Sequence, residues 1–265
     1  MRILPVLLIS LTMAACATTR QLSNTSLNKE ETALADSMLT WALDHEAIYT
    51  LLDTLKPISS VKYLQYPVAK SATAKDGDPV VTHPDSLPAL AAKYARICEK
   101  LSKGDHRFIM VPFAQAYGHK RMMEIYAVRK SKFAAVLEQH AAFFNQWGFT
   151  AASDPAVVLS VIEFEKPYDR NRAYGYFFGY PDYAVDFFIK AEQDTTVRLV
   201  PRDFFAIPVY AGQKGYFTYA MPKGHNPSQI DSVIFRNAQV TLERYKAARS
   251  KDKSAVSLWR KWNNY

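Results

Sequence analysis

The chain has 265 residues, of which 49% are hydrophobic and 22% are charged, and this composition excludes disorder as a global state. It is long enough to bury a sizeable core in one or two domains. The formal net charge of +8 is spread along most of the chain without a long basic run, which argues against nucleic acid as a partner.

The N-terminal residues have the pattern of an export signal. Arg2 precedes an apolar run that ends at Met13, and two alanines stand directly before Cys16. The run is too short to cross a bilayer as a permanent helix, so residues 1–15 are predicted to be a signal peptide. The segment resembles the lipobox of bacterial lipoproteins, although Met13 stands where that class usually has leucine.

The resemblance to lipoproteins implies cleavage before Cys16, a diacylglycerol on its sulfur and an acylated amino group, which together anchor a protein stably to a membrane. Ala17 follows instead of the aspartate that commonly retains such proteins in the inner membrane, so the resemblance implies sorting to the outer membrane. The alternative is ordinary signal cleavage that leaves Cys16 as a thiol. Residues 16–28 are mostly polar and are predicted to be a tether.

The only other cysteine is Cys98. If Cys16 carries lipid, Cys98 has no intramolecular partner, and it is expected to be a buried thiol. Two cysteines so far apart form neither a redox CxxC motif nor a zinc site. The sequence therefore predicts no metal site and no cofactor.

Asn28 followed by Glu31 predicts a capping box at the start of a helix, which we expect to run to about Leu55. One stripe of this helix is predicted to be buried and consists of Leu34, Met38, Trp41, His45, Ile48 and Leu52.

The triplet Asp44, His45 and Glu46 is the best candidate for catalysis in the sequence. His45 would act as a base, with Asp44 or Glu46 orienting it or contributing to a metal site. Neighbouring side chains point about 100° apart around a helix, so a second element would have to complete any such site. The alternative is a core histidine that is hydrogen-bonded to a neighbour.

Helices and two β-hairpins are predicted to alternate after this region. The hairpins cover residues 107–128 and 204–221, and the helices cover residues 87–101, 131–147, 155–165 and the segment after Ser228.

The densest aromatic stretch lies between Tyr168 and Glu192. Gly179 can adopt a positive φ and Pro181 suits the first position of a new helix, so two helices meeting at a sharp corner are predicted.

A binding surface is predicted on the helix before this corner and at the corner itself. Its residues are Arg170, Arg172, Tyr174, Tyr176 and Tyr180. Guanidinium groups among aromatic rings suit the recognition of an acidic ligand, and they suit cation–π packing equally well.

Gly179, Tyr180, Pro181, Val185 and Phe187 form a pattern that resembles a group of uncharacterised bacterial proteins with a Gly-Tyr-Pro helix corner. The resemblance covers residues 108–249. That group has no known activity, so the resemblance implies a common fold and no particular chemistry.

Residues 251–265 form a basic tail with Trp259, Trp262 and Tyr265, which suits either a lipid interface or packing back onto the domain. For residues 29–250 we predict one α+β domain, with two β-hairpins forming an antiparallel sheet covered by helices and with an N-terminal helical layer.

The leading functional hypothesis is a lipid-anchored cell-envelope protein that binds an unknown ligand or envelope protein through the aromatic and arginine surface. The first alternative is an envelope hydrolase or metal-binding enzyme that uses His45 with Asp44 or Glu46. The second alternative is a scaffolding lipoprotein that acts through its basic tail.

Overall fold

A computed structural model describes residues 26–67, 86–117, 120–194, 196, 200–212, 217–252 and 254–264. The predicted signal peptide, the Cys16 lipidation site and most of the tether lie outside the described residues. The helices are α1 (Lys29–Asp44), α2 (Ile48–Leu51), α3 (Ser86–Leu101), α4 (Lys130–Gln139), α5 (Ala141–Phe144), α6 (Pro155–Glu163), α7 (Pro167–Phe177), α8 (Asp182–Gln193), α9 (Gln229–Arg249) and α10 (Ala255–Trp262). The strands are β1 (Ile58–Pro67), β2 (His106–Tyr117), β3 (Lys120–Arg129), β4 (Arg202–Ile207) and β5 (Phe217–Pro222).

The predicted α+β class is confirmed, and both predicted hairpins form. In the part of the chain that the structure describes they lie in two separate sheets, rather than in the single sheet expected. The first sheet has the order β1-β3-β2 and the second consists of β4 and β5, with antiparallel pairing throughout. Strand β1 was not predicted, because an irregularity between Ser60 and Lys62 breaks the alternation that marks a strand.

The three-stranded sheet separates two apolar cores. Side chains on successive strand residues point to opposite faces, so Ile125 and Ala127 face the first core while Tyr126 and Val128 face the second. Helices α1, α3, α9 and α10 and the β4-β5 hairpin pack in the first core. Helices α4 to α8 pack mainly in the second.

The N-terminal helix is shorter than predicted. The Asn28–Glu31 capping box is present, but α1 ends at Asp44 and a turn separates it from α2. Met38, Ile48 and Leu52 of the predicted stripe are buried as expected, but the buried face of α1 is centred on Leu39 and Leu43. Trp41 is consequently 42% exposed and His45 is only half-buried, which corrects the expectation that both belong to the core.

The predicted corner between two helices is present at Gly179, whose φ is +76°. Pro181 is the residue that immediately precedes α8. A Cβ atom at Gly179 would lie 2.7 Å from the carbonyl oxygen of Leu55, so the corner packs directly against the turn that leads into β1. The position requires glycine both for its backbone conformation and for this close approach.

The tail segment packs back onto the domain. Helix α10 contacts α1, and its Trp259 is 2% exposed within the first core. The indole ring meets the rings of Phe108 and His106 edge-on, at centroid distances of 6.0 and 6.2 Å. Within the described ranges, no helix combines the length and the hydropathy that a membrane crossing requires.

Candidate functional site

The five residues of the predicted aromatic and arginine surface do not form one surface. Residues four apart share a face of a helix, so Arg170 and Tyr174 lie on one face of α7 while Arg172 and Tyr176 lie on another. Tyr180 lies beyond the Gly179 corner, where its ring stacks on that of Phe217 with the centroids 5.8 Å apart.

The face that carries Arg172 and Tyr176 is held by packing inside the protein. Arg172 Nη1 donates to Asp186 Oδ1 at 2.7 Å and to the Tyr176 hydroxyl at 3.0 Å. The Tyr176 ring stacks on the His140 ring with the centroids 3.7 Å apart. These contacts join α7 to α8 and to the end of α4, so this face fits the cation–π and packing interpretation.

The side chains of Asp44, His45 and Glu46 point to three different parts of the protein. Asp44 accepts from the Tyr245 hydroxyl at 2.6 Å and lies 3.5 Å from Arg249 Nε on α9. The His45 ring caps α1 through Nδ1, which lies 2.7 Å from the Trp41 carbonyl oxygen. Across the described ranges, no group of three histidine, cysteine, aspartate or glutamate side chains is arranged to hold a metal ion.

Glu46 pairs with Lys56, a lysine that is completely buried. Lys56 Nζ donates to Glu46 Oε2 at 2.5 Å. It also lies over two aromatic rings, 4.4 Å from the centroid of Phe217 and 5.1 Å from that of Phe178. Burial lowers the pKa of the Lys56 ammonium, and the Glu46 carboxylate acts in the opposite direction. The pair joins the α1–α2 turn to the second sheet.

The other face of α7 lines a cavity of about 320 Å³ against the three-stranded sheet. We call it the acidic cavity, since two glutamates and one arginine are its charged groups. Its walls are built by Ser60, Tyr63, Phe113, Glu124, Tyr126, Glu163, Arg170, Asn171, Tyr174 and Phe178. Two of the five predicted surface residues, Arg170 and Tyr174, therefore belong to this cavity.

The irregularity in β1 places two of its side chains, Ser60 and Tyr63, on the side of the sheet that faces the cavity. Ser60 lies opposite Tyr126 and Tyr63 lies opposite Glu124 in the β1–β3 pairing. Ser60 and Tyr63 are three residues apart, and in a regular strand they would face opposite sides of the sheet. The register shift between Ser60 and Lys62 turns both toward the cavity.

Glu124 is the most unusual residue of the cavity. It is 1% exposed, and its Oε1 atom has no hydrogen-bond partner among the residues that the structure describes. Burial raises the pKa of the Glu124 carboxyl to about 7. The surrounding hydroxyl groups, those of Ser60, Tyr126 and Tyr63, act in the opposite direction because they stabilise the charged form.

Glu163, by contrast, has its hydrogen-bond partners in place. Its Oε2 accepts from the Tyr174 hydroxyl at 2.9 Å, and its Oε1 accepts from the backbone N–H of Ala114 at 3.2 Å. Arg170 Nη1 lies 3.8 Å from the same Oε1. The cavity thus holds two carboxyl groups in unlike surroundings, one supported by donors and a cation and one with a free acceptor atom.

Sequence reasoning missed Glu124, Glu163 and Lys56. A signal for Glu124 exists, since it is the one charged residue in the apolar run of β3 from Met122 to Val128. Glu163 likewise closes an apolar helix. Their meeting with Tyr63 and Tyr174 depends on the tertiary fold, which no local pattern predicts.

No family model, curated protein or solved structure matches this chain.

Proposed function

We propose that the chain is a lipid-anchored protein of the cell envelope that binds a small cationic ligand in the acidic cavity. The observation that carries the binding proposal is the buried, unpartnered Oε1 atom of Glu124. A buried acceptor without a donor is costly, and a bound donor would remove that cost.

The chemistry of the walls favours a positively charged ligand. When Glu124 is ionised, the formal charge of the lining is negative, because Glu124 and Glu163 outnumber Arg170. Five aromatic rings complete the walls, and aromatic faces attract cations. A primary ammonium group has three donors, which allows it to bond Glu124 Oε1 and a neighbouring hydroxyl oxygen together.

Binding of a cation at Glu124 is expected to depend on pH. The cation favours the ionised carboxyl group, so affinity rises as the pH increases through about 7, with release of a proton. The other titratable groups around the carboxyl are Glu46, Tyr63, Tyr126, Glu163, Arg170 and Tyr174.

Ligand-observed NMR on the full chain in amphipol tests the proposal, with ethanolamine as the cationic probe and ethylene glycol as its uncharged counterpart. We expect ethanolamine to bind in preference to the glycol, and Glu124→Gln to weaken ethanolamine binding by about tenfold. Glu243→Gln, the same change at an exposed position of α9, is the matched control. Equal binding of the two probes, or full binding by the Glu124→Gln protein, would contradict the proposal.

The anchoring part of the proposal is supported by the resemblance of the segment before Cys16 to a lipobox. Mass spectrometry of protein extracted from its own host tests it separately. A denatured mass that corresponds to residues from Cys16 onward plus acyl chains is expected. An unmodified Cys16 would remove the anchor and leave the ligand-binding proposal intact.

A second candidate function is hydrolysis by the two carboxyl groups of the acidic cavity. The observation in its favour is that Glu124 has a pKa near 7, as a general acid requires, while Glu163 is held by hydrogen bonds from two donors. A panel of chromogenic glycosides tests it. Any activity found should be lost in both the Glu124→Gln and the Glu163→Gln proteins, and activity that survives in either would exclude this mechanism.

A further inference from the structure

A second cavity lies on the other side of the α7 ridge formed by Tyr174 and Phe178. It has a volume of about 300 Å³ and lies between α7, α8 and the β4-β5 hairpin. Most of its lining is apolar or aromatic, and it includes Tyr180, Phe188, Phe204 and Tyr219. We call it the apolar cavity. Asn171, Tyr174 and Phe178 line both cavities, so the two lie side by side along one helix.

Arg202 is the one charged side chain among the residues that line the apolar cavity. Its Nε donates to the Val200 carbonyl oxygen at 3.1 Å, and its guanidinium carbon lies 6.0 Å from the centroid of the Phe188 ring. Its two terminal nitrogens have no partner among the described residues. A partly buried guanidinium is thus held through its Nε, while none of the described residues occupies its two terminal donors, and paired guanidinium donors suit bidentate binding of a carboxylate or phosphate.

No acidic side chain of the described lining competes for Arg202. Its neighbour Asp203 accepts from Lys223 at 3.1 Å and from the Gly224 N–H at 2.7 Å. The next residue on β4, Phe204, is 63% exposed although it lines the cavity, and Phe188 is 38% exposed. Large exposed rings beside a cavity are typical of a surface that a ligand covers.

We propose that the apolar cavity binds a short apolar chain that ends in one anionic group, with the chain against Phe188 and Phe204 and the anion on Arg202. The volume is at the lower limit of about 300 Å³ for small-molecule sites, which suits a single short chain. Fatty acids and the phosphate monoesters of short alcohols share this chemistry. The site is separate from the cationic site proposed above and does not rest on it.

Saturation-transfer NMR on the full chain in amphipol tests this proposal with three probes: hexanoate, hexyl phosphate and uncharged 1-hexanol. We expect at least one of the two anions to bind about tenfold more tightly than hexanol. Arg202→Gln should remove that preference while leaving hexanol binding unchanged, and Phe204→Ala should weaken all three probes. Tighter binding of hexanoate assigns the site to carboxylates, and tighter binding of hexyl phosphate assigns it to phosphates.

Two controls keep the result specific. Arg236→Gln makes the same change at an exposed position of α9 and should bind like the wild type. Glu124→Gln should not change hexanoate binding, and Arg202→Gln should not change ethanolamine binding. Because Phe204 is largely exposed, its substitution by alanine should leave the fold intact. Equal affinity for hexanol and both anions, or an unchanged preference in the Arg202→Gln protein, would overturn the proposal.

Discussion

Tyr63 on β1 lies directly opposite Glu124 on β3, and both side chains line the acidic cavity. The pair depends on the register shift between Ser60 and Lys62, which aligns Tyr63 with the face that carries Glu124. A carboxyl group placed in this way lowers the stability of the fold, because its charged form is poorly solvated. Functional sites commonly contain residues of this kind, which lower the stability of the fold.

The first prediction concerns Glu124 and pH. Its pKa in the folded protein is about 7, above its ordinary value of 4.5, so between these pH values the folded state holds a proton that the unfolded state has lost. Stability is therefore lost as the pH rises through this range, by about 3 kcal/mol in total. Glu124→Gln has no proton to lose. Urea unfolding measures this: between about pH 4.5 and pH 7.5 the free energy of unfolding of the variant should rise relative to that of the wild type. An equal dependence on pH in the two proteins would contradict the assignment.

The second prediction concerns the buried pair of Lys56 and Glu46. Glu46→Gln leaves a buried ammonium without its anionic partner and should lower the free energy of unfolding by about 3 kcal/mol near neutral pH. Burial lowers the folded-state pKa of Lys56, so in the variant stability should rise with pH as the ammonium loses its proton. Lys56→Met, which keeps the apolar packing and leaves Glu46 partly exposed, should cost less. Equal losses that do not change with pH would contradict this interpretation.

The third prediction concerns the Gly179 corner. Gly179→Ala should destabilise the protein by about 3 kcal/mol, because the new Cβ adds a clash with the Leu55 carbonyl oxygen to the strain of a positive φ. Gly148→Ala is the matched control, since its φ is +72° and nothing lies within 4 Å of the added atom. Gly148→Ala should lower the free energy of unfolding by about 1 kcal/mol, which is the strain of the positive φ alone. Denaturant midpoints of the two variants measure the difference, and equal losses would show that the close approach does not matter.

The fourth prediction uses Cys98 to count thiols. Cys98 is a buried free thiol, and burial raises the pKa of its sulfur to about 12, so it should not react with a disulfide reagent in the folded protein. In guanidinium chloride, protein isolated from membranes should show one reactive thiol if Cys16 carries lipid and two if it does not. A reactive thiol in the folded state would show that Cys98 is accessible.

The fifth prediction concerns Trp259. Trp259→Ala should lower the free energy of unfolding by about 3–5 kcal/mol, because it leaves a cavity in the first core. Trp41 is 42% exposed, and Trp41→Ala should cost less than about 1 kcal/mol. Thermal unfolding of the two proteins measures the contrast. A small effect at Trp259 would indicate that α10 packs only loosely.

Local signals predicted most of the secondary structure. The predicted capping box at Asn28 is present, the predicted helix after Ser228 forms with that serine as its cap, and the Gly179 corner follows from glycine and proline chemistry. The end of α1 at Asp44 was not predicted, because the helical spacing continues into α2 without a glycine or proline to mark the break.

The candidate site was predicted only in part. Arg170 and Tyr174 were identified because arginine and aromatic residues are dense in their segment, and both line the acidic cavity. Their partners Glu124 and Glu163 come from other elements, and their meeting is a consequence of chain topology. Arg172 lies in the same segment but pairs with Asp186 instead. A step of two residues along a helix turns a side chain to another face.

The packing of α10 on α1 also has a consequence for the time course of folding. Roughly 210 residues separate the two helices, and at synthesis rates of about 5–20 residues per second they take roughly 10–40 s to make. Throughout that interval the side of α1 that α10 covers has nothing to cover it. A chain that ends before Ala255 should therefore be held by chaperones or degraded by proteases, because its first core lacks the helix that covers this side of α1.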